Sequence, residues 1–271
     1  MLSGGSQRGW KTTERRSPVG KTLSFSIFKG GTGKTTSAVN TAAALTQLGH
    51  QVLLIDLDQQ ASATRHLGLD PDNENPNLYH VFMEQSPTHL AVHETPFGFD
   101  LIPGHPLLAA VEEALEPGDE ALFRNHIEGV VPDYDYLILD TPPGKGMLSI
   151  SALAAADEVI IPLQAERPAL DGTADVLRFI QDIVWDRYSP ELDILGILPT
   201  MVRRTTSHSP GVVKKARELW DDRVFAVEIP TAVSFPRSFD RGQPLLHFQP
   251  EHEASKLYLE LAKTIDEKSQ G

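Results

Sequence analysis

An α/β fold, with a doubly wound, mostly parallel sheet and helices on both faces, is what this sequence predicts. Three observations carry the expectation. Short aliphatic and β-branched runs alternate with segments whose apolar residues recur at helical spacing. Most of the strand runs are apolar nearly throughout, as strands covered on both faces are. A glycine-rich loop holding two lysines lies between the first strand run and the first helical run. In such a fold right-handed crossovers gather the carboxyl ends of the strands, and any ligand, along one edge.

Residues 1–20 contain Gly, Ser, Arg and Lys without an apolar period. They are expected to form a flexible basic extension, followed by a single folded domain over 21–271. Residues 22–28 are β-rich and stop at Gly30. Residues 35–48 place Val39, Ala42, Ala43, Leu45 and Leu48 at helical spacing, and Gly49 suits the position after the helix. Residues 51–56 read as a buried parallel strand, 70–76 as a turn-rich loop and 100–103 as a weaker strand. Residues 136–140, 158–163, 194–198 and 224–229 complete the strands. Helical patterns cover about 105–115, 119–129, 147–156, 168–187, 209–220 and 254–267. No repeat, low-complexity tract or linker interrupts 21–271.

Composition narrows the chemistry. The 271 residues include no cysteine, which removes disulfides, thiolate zinc sites and iron–sulfur clusters. No run approaches the roughly 18 apolar residues that span a bilayer, and the polar, basic start is not a secretory signal. A cytoplasmic location is the expectation. The formal net charge of −13 argues against a uniformly basic nucleic-acid coat. The cations are nevertheless unevenly spread. Arg8, Lys11, Arg15 and Arg16 crowd the start, and a second scattered set runs from Arg203 to Arg241.

The loop Phe28-Lys-Gly-Gly-Thr-Gly-Lys-Thr35 follows a strand and opens a helix, the context a phosphate-binding loop requires. Gly30, Gly31 and Gly33 let the backbone turn tightly and aim N–H groups at phosphate oxygens, with Thr32 between them. The helix that starts near Lys34 adds its positive dipole end. Lys34 is expected to reach the β- and γ-phosphates, Thr35 to ligate Mg²⁺ and Thr36 to bond the α-phosphate. Phe28 stands where the common pattern has glycine, and Lys29 supplies a second lysine before the glycines. This is the deviant Walker A form.

Acidic residues end two strands. Asp56 and Asp58 are spaced i and i+2, so both face one way beside the loop. One can hold a Mg²⁺-bound water and the other can orient an attacking water. Asp140 ends the apolar run 136–140 and is followed by Thr-Pro-Pro-Gly144, a Walker B arrangement. With Thr35, Asp140 is expected to complete the magnesium site.

These residues resemble the ParA/MinD group of deviant Walker ATPases, in particular its ParA (Soj-like) DNA-partition branch, over about 21–267. Lys29 to Thr36, Asp56 to Thr64 and Asp140-Thr-Pro-Pro143 carry the resemblance. Ala156 to Glu166, Ala169-Leu-Asp-Gly172, Glu228 to Val233 and Tyr258 to Lys263 strengthen it. The resemblance implies an ATPase that hydrolyses ATP to ADP with Mg²⁺, as a homodimer sandwiching two nucleotides. In that dimer Lys29 would cross the interface to the partner's phosphates and Asp58 would position the attacking water. Pro230 and Thr231, with Met201, would pack on the adenine.

Nonspecific binding to nucleoid DNA, release driven by a ParB-like or other adaptor, and partition or positioning of a cargo are also implied. The alternative is a MinD-like membrane-cycling ATPase, disfavoured because residues 253–265 look like a packed final helix with a polar end. A membrane partner is therefore not expected. Two departures stand out. Gln59-Gln60-Ala61 replaces the usual Pro-Gln-Gly, and Thr231-Ala-Val-Ser234 lacks both arginines that Soj-like members use at DNA. Arg203, Arg204, Lys214, Lys215, Arg217, Arg237 and Arg241 are the available substitutes.

Overall fold

The structure, a computed structural model, describes residues 20–166, 169–203 and 208–270. The basic extension over 1–19 and Arg204 lie outside the described residues. In chain order the elements are β1 (Lys21–Phe25), α1 (Lys34–Gln47), β2 (Val52–Asp56), α2 (Ser62–His66), α3 (Leu78–Phe82), β3 (His93–Glu94), β4 (Asp100–Ile102), α4 (Leu108–Ala114) and α5 (Leu122–Ile127). Then come β5 (Tyr136–Asp140), α6 (Met147–Ala155), β6 (Glu158–Gln164), α7 (Ala169–Phe179), β7 (Asp193–Thr200), α8 (His208–Trp220), α9 (Ser234–Asp240), α10 (Leu245–Phe248) and α11 (Glu253–Gln270).

The strands form one seven-stranded sheet in the order β3-β4-β2-β5-β1-β6-β7. All neighbours are parallel except β3 with β4. Alternation along the buried strands sends side chains to opposite faces. Leu53, Ile55, Leu137 and Leu139 join one core with residues of α4, α5, α6 and α7. Val52, Leu54, Tyr136 and Ile138 join the other, with residues of α1 and α11. The chain leaves β1 toward β2 on one side and later adds β6 on the other. The carboxyl ends of β1, β2 and β5 therefore converge, and the register sets Asp140 level with Phe25 and Asp56. This is the switch point at which open α/β sheets bind ligands.

Several expectations need correction. Residues 224–229 form no strand. Phe225 N–H donates to Ile197 and Ile229 N–H to Pro199, and only isolated bridges join this segment to its neighbours. Val224, Phe225, Val227 and Ile229 are buried, so their apolar alternation reports burial and not ladder pairing. The helix expected over 168–187 is α7 followed by a stretch of wider π turns, Ile180–Tyr188. The first strand ends at Phe25, before Ile27 and Phe28 turn toward the loop. The helices α2, α3, α9 and α10 had no counterpart in the sequence reading. Each has seven residues or fewer, so its apolar spacing spans at most two turns.

Candidate nucleotide site

The loop from Phe28 to Gly33 connects β1 to α1. Gly31 and Gly33 adopt φ of 73° and 82°, which only glycine takes without strain. Gly30 is different. Its φ is not positive, and a Cβ there, as at Gly31, would meet nothing within 4 Å. The space above these two residues is open, as a phosphate cradle needs. Gly33 precedes α1 with no side-chain cap, so the first N–H groups of a 14-residue helix face that space. The loop is braced from below. Thr200, at the end of β7, donates its hydroxyl to the Thr32 carbonyl at 2.7 Å. The Thr32 hydroxyl is buried without a hydrogen-bond partner.

Lys34 is 7% exposed and bends inward. Its ammonium donates to the Thr141 carbonyl and stands 3.6 Å from an Asp140 oxygen. Asp140 is fully buried, and neither of its carboxylate oxygens has a hydrogen bond. Burial holds its pKa above the ordinary value, against the pull of the Lys34 charge and the Thr35 hydroxyl. Asp56 is also fully buried. Burial first, and then the negative charge of Asp140, push it up to about 7, although Thr64 donates both its N–H at 2.9 Å and its hydroxyl at 2.8 Å. Asp58 is 5% exposed and accepts the Gln60 N–H at 2.9 Å. The three carboxylates expected at the ends of β2 and β5 thus lie together beside Lys34 and Thr35.

Lys29 is exposed at the rim of the loop, while Thr35 and Thr36 are partly buried at the start of α1. Met201 turns its methyl toward Gly33, 3.8 Å from where a Cβ would sit. Val202 N–H donates to Ile229, and Thr231 N–H donates to Val202, so Pro230 and Thr231 run beside Met201 at the same edge.

Sequence reading missed the supports of this site. Thr64 ties Asp56 to Gly104, whose N–H it accepts at 2.9 Å. A Cβ on Gly104 would lie 2.8 Å from the Asp56 carboxyl carbon, so glycine is required there. Thr141 offers its carbonyl to Lys34 and donates its hydroxyl to the Phe25 carbonyl. The substitution at Ala61 has a visible cost. This buried residue sits at φ 49°, ψ 45° before α2, a conformation that strains any residue with a Cβ.

A buried carboxylate balanced only by Lys34, a hydroxyl without a partner, an uncapped helix start and open space over two glycines fit a triphosphate with Mg²⁺. Magnesium takes one or two protein oxygens together with phosphates and waters.

Comparison with known proteins agrees with this geometry. The family model described as AAA domain matches residues 20–194. Soj, the sporulation initiation inhibitor of Bacillus subtilis, is 33% identical over 250 residues, covering 91% of this chain and 98% of that protein. The chromosome partitioning protein ParA of Myxococcus xanthus is 34% identical over 268 residues, covering 98% of this chain and 92% of that protein. A crystal structure of cobyrinic acid a,c-diamide synthase from Mycobacterium smegmatis, with ADP and magnesium bound, superposes with a TM-score of 0.82. It is 31% identical and covers 93% of this chain and 96% of its own. The chain therefore belongs to the AAA-domain family with the P-loop NTPase fold, and within it to the ParA/MinD superfamily, with ParA and Soj proteins among its relatives.

Proposed function

We propose that this chain is a ParA-like ATPase that binds ATP with Mg²⁺, dimerises around it and uses hydrolysis to cycle on and off DNA while positioning a cargo. The observation that carries the reading is the resting pose of Lys34. Its ammonium is folded onto Asp140 and Thr141 beneath an open, uncapped phosphate loop. A triphosphate would draw Lys34 upward. Asp140 would then lose its nearest positive charge and require another. Thr35 and Asp140, with Asp56 behind them, are the groups that would hold Mg²⁺ and its waters. The bound ion would supply charge neutralisation between the phosphate oxygens.

Asp58 would orient the attacking water and accept its proton in hydrolysis. Lys29, exposed at the rim, would meet the phosphates of the partner subunit. Two ammonium groups would then face the developing charge only in the dimer, coupling turnover to assembly. Met201, Pro230 and Thr231 line the edge where the base would pack.

The DNA surface of this reading must do without arginines at 231–234. Arg217 is paired with Glu228 at 2.8 Å and Lys215 with Glu218 at 3.0 Å. Lys214, Arg237 and Arg241 are exposed and are candidates for contacts to DNA phosphates. Release would be driven by a ParB-like or other adaptor. The fold also hosts the chemistry named on the diamide synthase structure, so the assignment rests on the site and the partition relatives, not on fold.

The test is co-sedimentation with random-sequence DNA against anionic vesicles, with ATP, ADP or neither. The reading expects ATP-dependent DNA binding that weakens steeply with salt. Binding to vesicles alone would replace it with a membrane cycle. Hydrolysis that needs a carboxylic acid substrate would point to amide synthesis.

A further inference from the structure

Phe28 stands directly before Lys29, and the phosphate chemistry makes no use of its ring. The ring is half-buried and meets Phe179, the last residue of α7, edge to face, with centroids 5.2 Å apart and planes at 89°. The Lys145 ammonium lies over both rings, 5.0 Å from the Phe28 centroid and 5.5 Å from that of Phe179. Lys145 belongs to the turn that joins Asp140 to α6. That turn is pinned again just beyond. Glu112 of α4 accepts the N–H groups of Met147 and Leu148, and Gly146 leaves no room for a Cβ against the same carboxylate.

We propose that Lys145 is a positioning residue that aims Lys29 by clamping Phe28 between its own ammonium and Phe179. The inference rests on the reading of Lys29 given above. The residues after Lys29 cannot aim it. Gly30 and Gly31 have no side chains, and even a Cβ at either would touch nothing. Phe28 is the adjoining side chain with a foothold, since it packs on the same core as Phe179. A cation seated on two aromatic faces holds that foothold without approaching the phosphates. The turn carrying Lys145 starts at Thr141, which receives Lys34. One segment therefore touches Lys34 directly, through the Thr141 carbonyl, and the residue next to Lys29, through the Phe28 ring. Restricting Lys29 before the partner arrives reduces the ordering cost of reaching across.

The test compares steady-state ATP hydrolysis and equilibrium ATP binding in the full chain for K145M, K145R, K29Q and K145M/K29Q. Lys29 and Lys145 are both exposed, so these variants are expected to fold, which thermal melts check. K145M is expected to lower kcat by about threefold to tenfold, the range a partly desolvated cation–π contact supports, with ATP affinity within about twofold of the parent. K145R should restore most of the loss, because guanidinium also seats on aromatic faces. K145M added to K29Q should cost nothing more, because the clamp acts through Lys29. Parental turnover in K145M, no rescue by arginine, or multiplied losses in the double variant would each overturn the clamp while leaving the role of Lys29 intact. Parental turnover in K29Q would overturn both.

Discussion

The two edges of the sheet handle charge in opposite ways. At the amino edge β1, β5 and β6 start with satisfied groups. Lys21 lies 3.7 Å from Glu158, and Glu158 also accepts the Ser269 hydroxyl at 2.8 Å. Tyr136 donates to Asp266 at 2.9 Å, with His50 3.3 Å from the same residue. Asp157 accepts the Thr22 N–H. These contacts bind α11 to the strand starts. At the carboxyl edge Asp140 is buried with no hydrogen bond, Asp56 is forced toward its neutral form, and the Thr32 hydroxyl faces no partner. A buried hydroxyl without a partner costs about 1–3 kcal/mol, and a carboxylate held above its ordinary pKa adds to that cost. The contrast teaches that one edge serves stability, whereas the other is incomplete until a ligand fills it.

The contrast can be broken most severely at Asp58. Asp58→Ala should lower hydrolysis by about 10²–10⁴-fold, the usual worth of a positioned proton acceptor, while ATP binding persists and the dimer accumulates. Single-turnover assays alongside light scattering check both parts, and normal hydrolysis would remove the residue from the mechanism.

Asp56 tests the stored charge. Its folded pKa is raised from 3.8 to about 7 by burial and by Asp140. The stability tied to its proton is therefore complete below pH 3.8 and lost as pH climbs through 7. Relative to the parent, nucleotide-free Asp56→Asn should gain unfolding free energy across that window, on the order of a few kcal/mol. Urea melts at several pH values measure it. A difference that does not change with pH would mean that the site holds no strained carboxylate.

His66, on the helix that leaves this edge, works with the opposite sign. It is buried, its ring lies 5.3 Å from that of Phe239, and burial lowers its pKa from 6.5 to about 4. Its contribution is intact above pH 6.5 and lost as pH falls through 4. His66→Gln should flatten that acid limb by about 3 kcal/mol. An unchanged limb would place a charged partner beside the ring.

The smallest effect belongs to the amino edge. Tyr136→Phe removes one bond to Asp266 and should cost about 1 kcal/mol of stability, with nucleotide affinity and turnover unchanged. Loss of turnover would show that the two edges are coupled.

What the sequence made legible follows from how local each signal is. The phosphate loop reads directly because its glycines, lysines and threonines are contiguous and their roles depend on backbone geometry within one turn. Asp56 and Asp140 read as strand ends, but their adjacency comes from the parallel register of β2 and β5, which pairs residues 84 positions apart. Thr64, Gly104 and Thr141 support the carboxylates through contacts that no short window contains. The pattern at 224–229 misled because inward-facing apolar residues look alike whether or not the backbone joins a ladder. Ala61 was legible as a departure, and its positive φ bears that out. The clamp of Phe28 by Lys145 and Phe179 was invisible, because three distant elements must fold before a cation meets two rings.

Isothermal titration with ATP, in the presence of magnesium and again with chelator, tests the central claim most directly, since it measures whether the incomplete edge takes its ligand. The account predicts saturable binding by the parent that weakens strongly without magnesium, and loss of at least about 100-fold in affinity for Lys34→Ala, whose missing ammonium would otherwise make charge-assisted bonds to the phosphates. Equal affinity in all three titrations would contradict it.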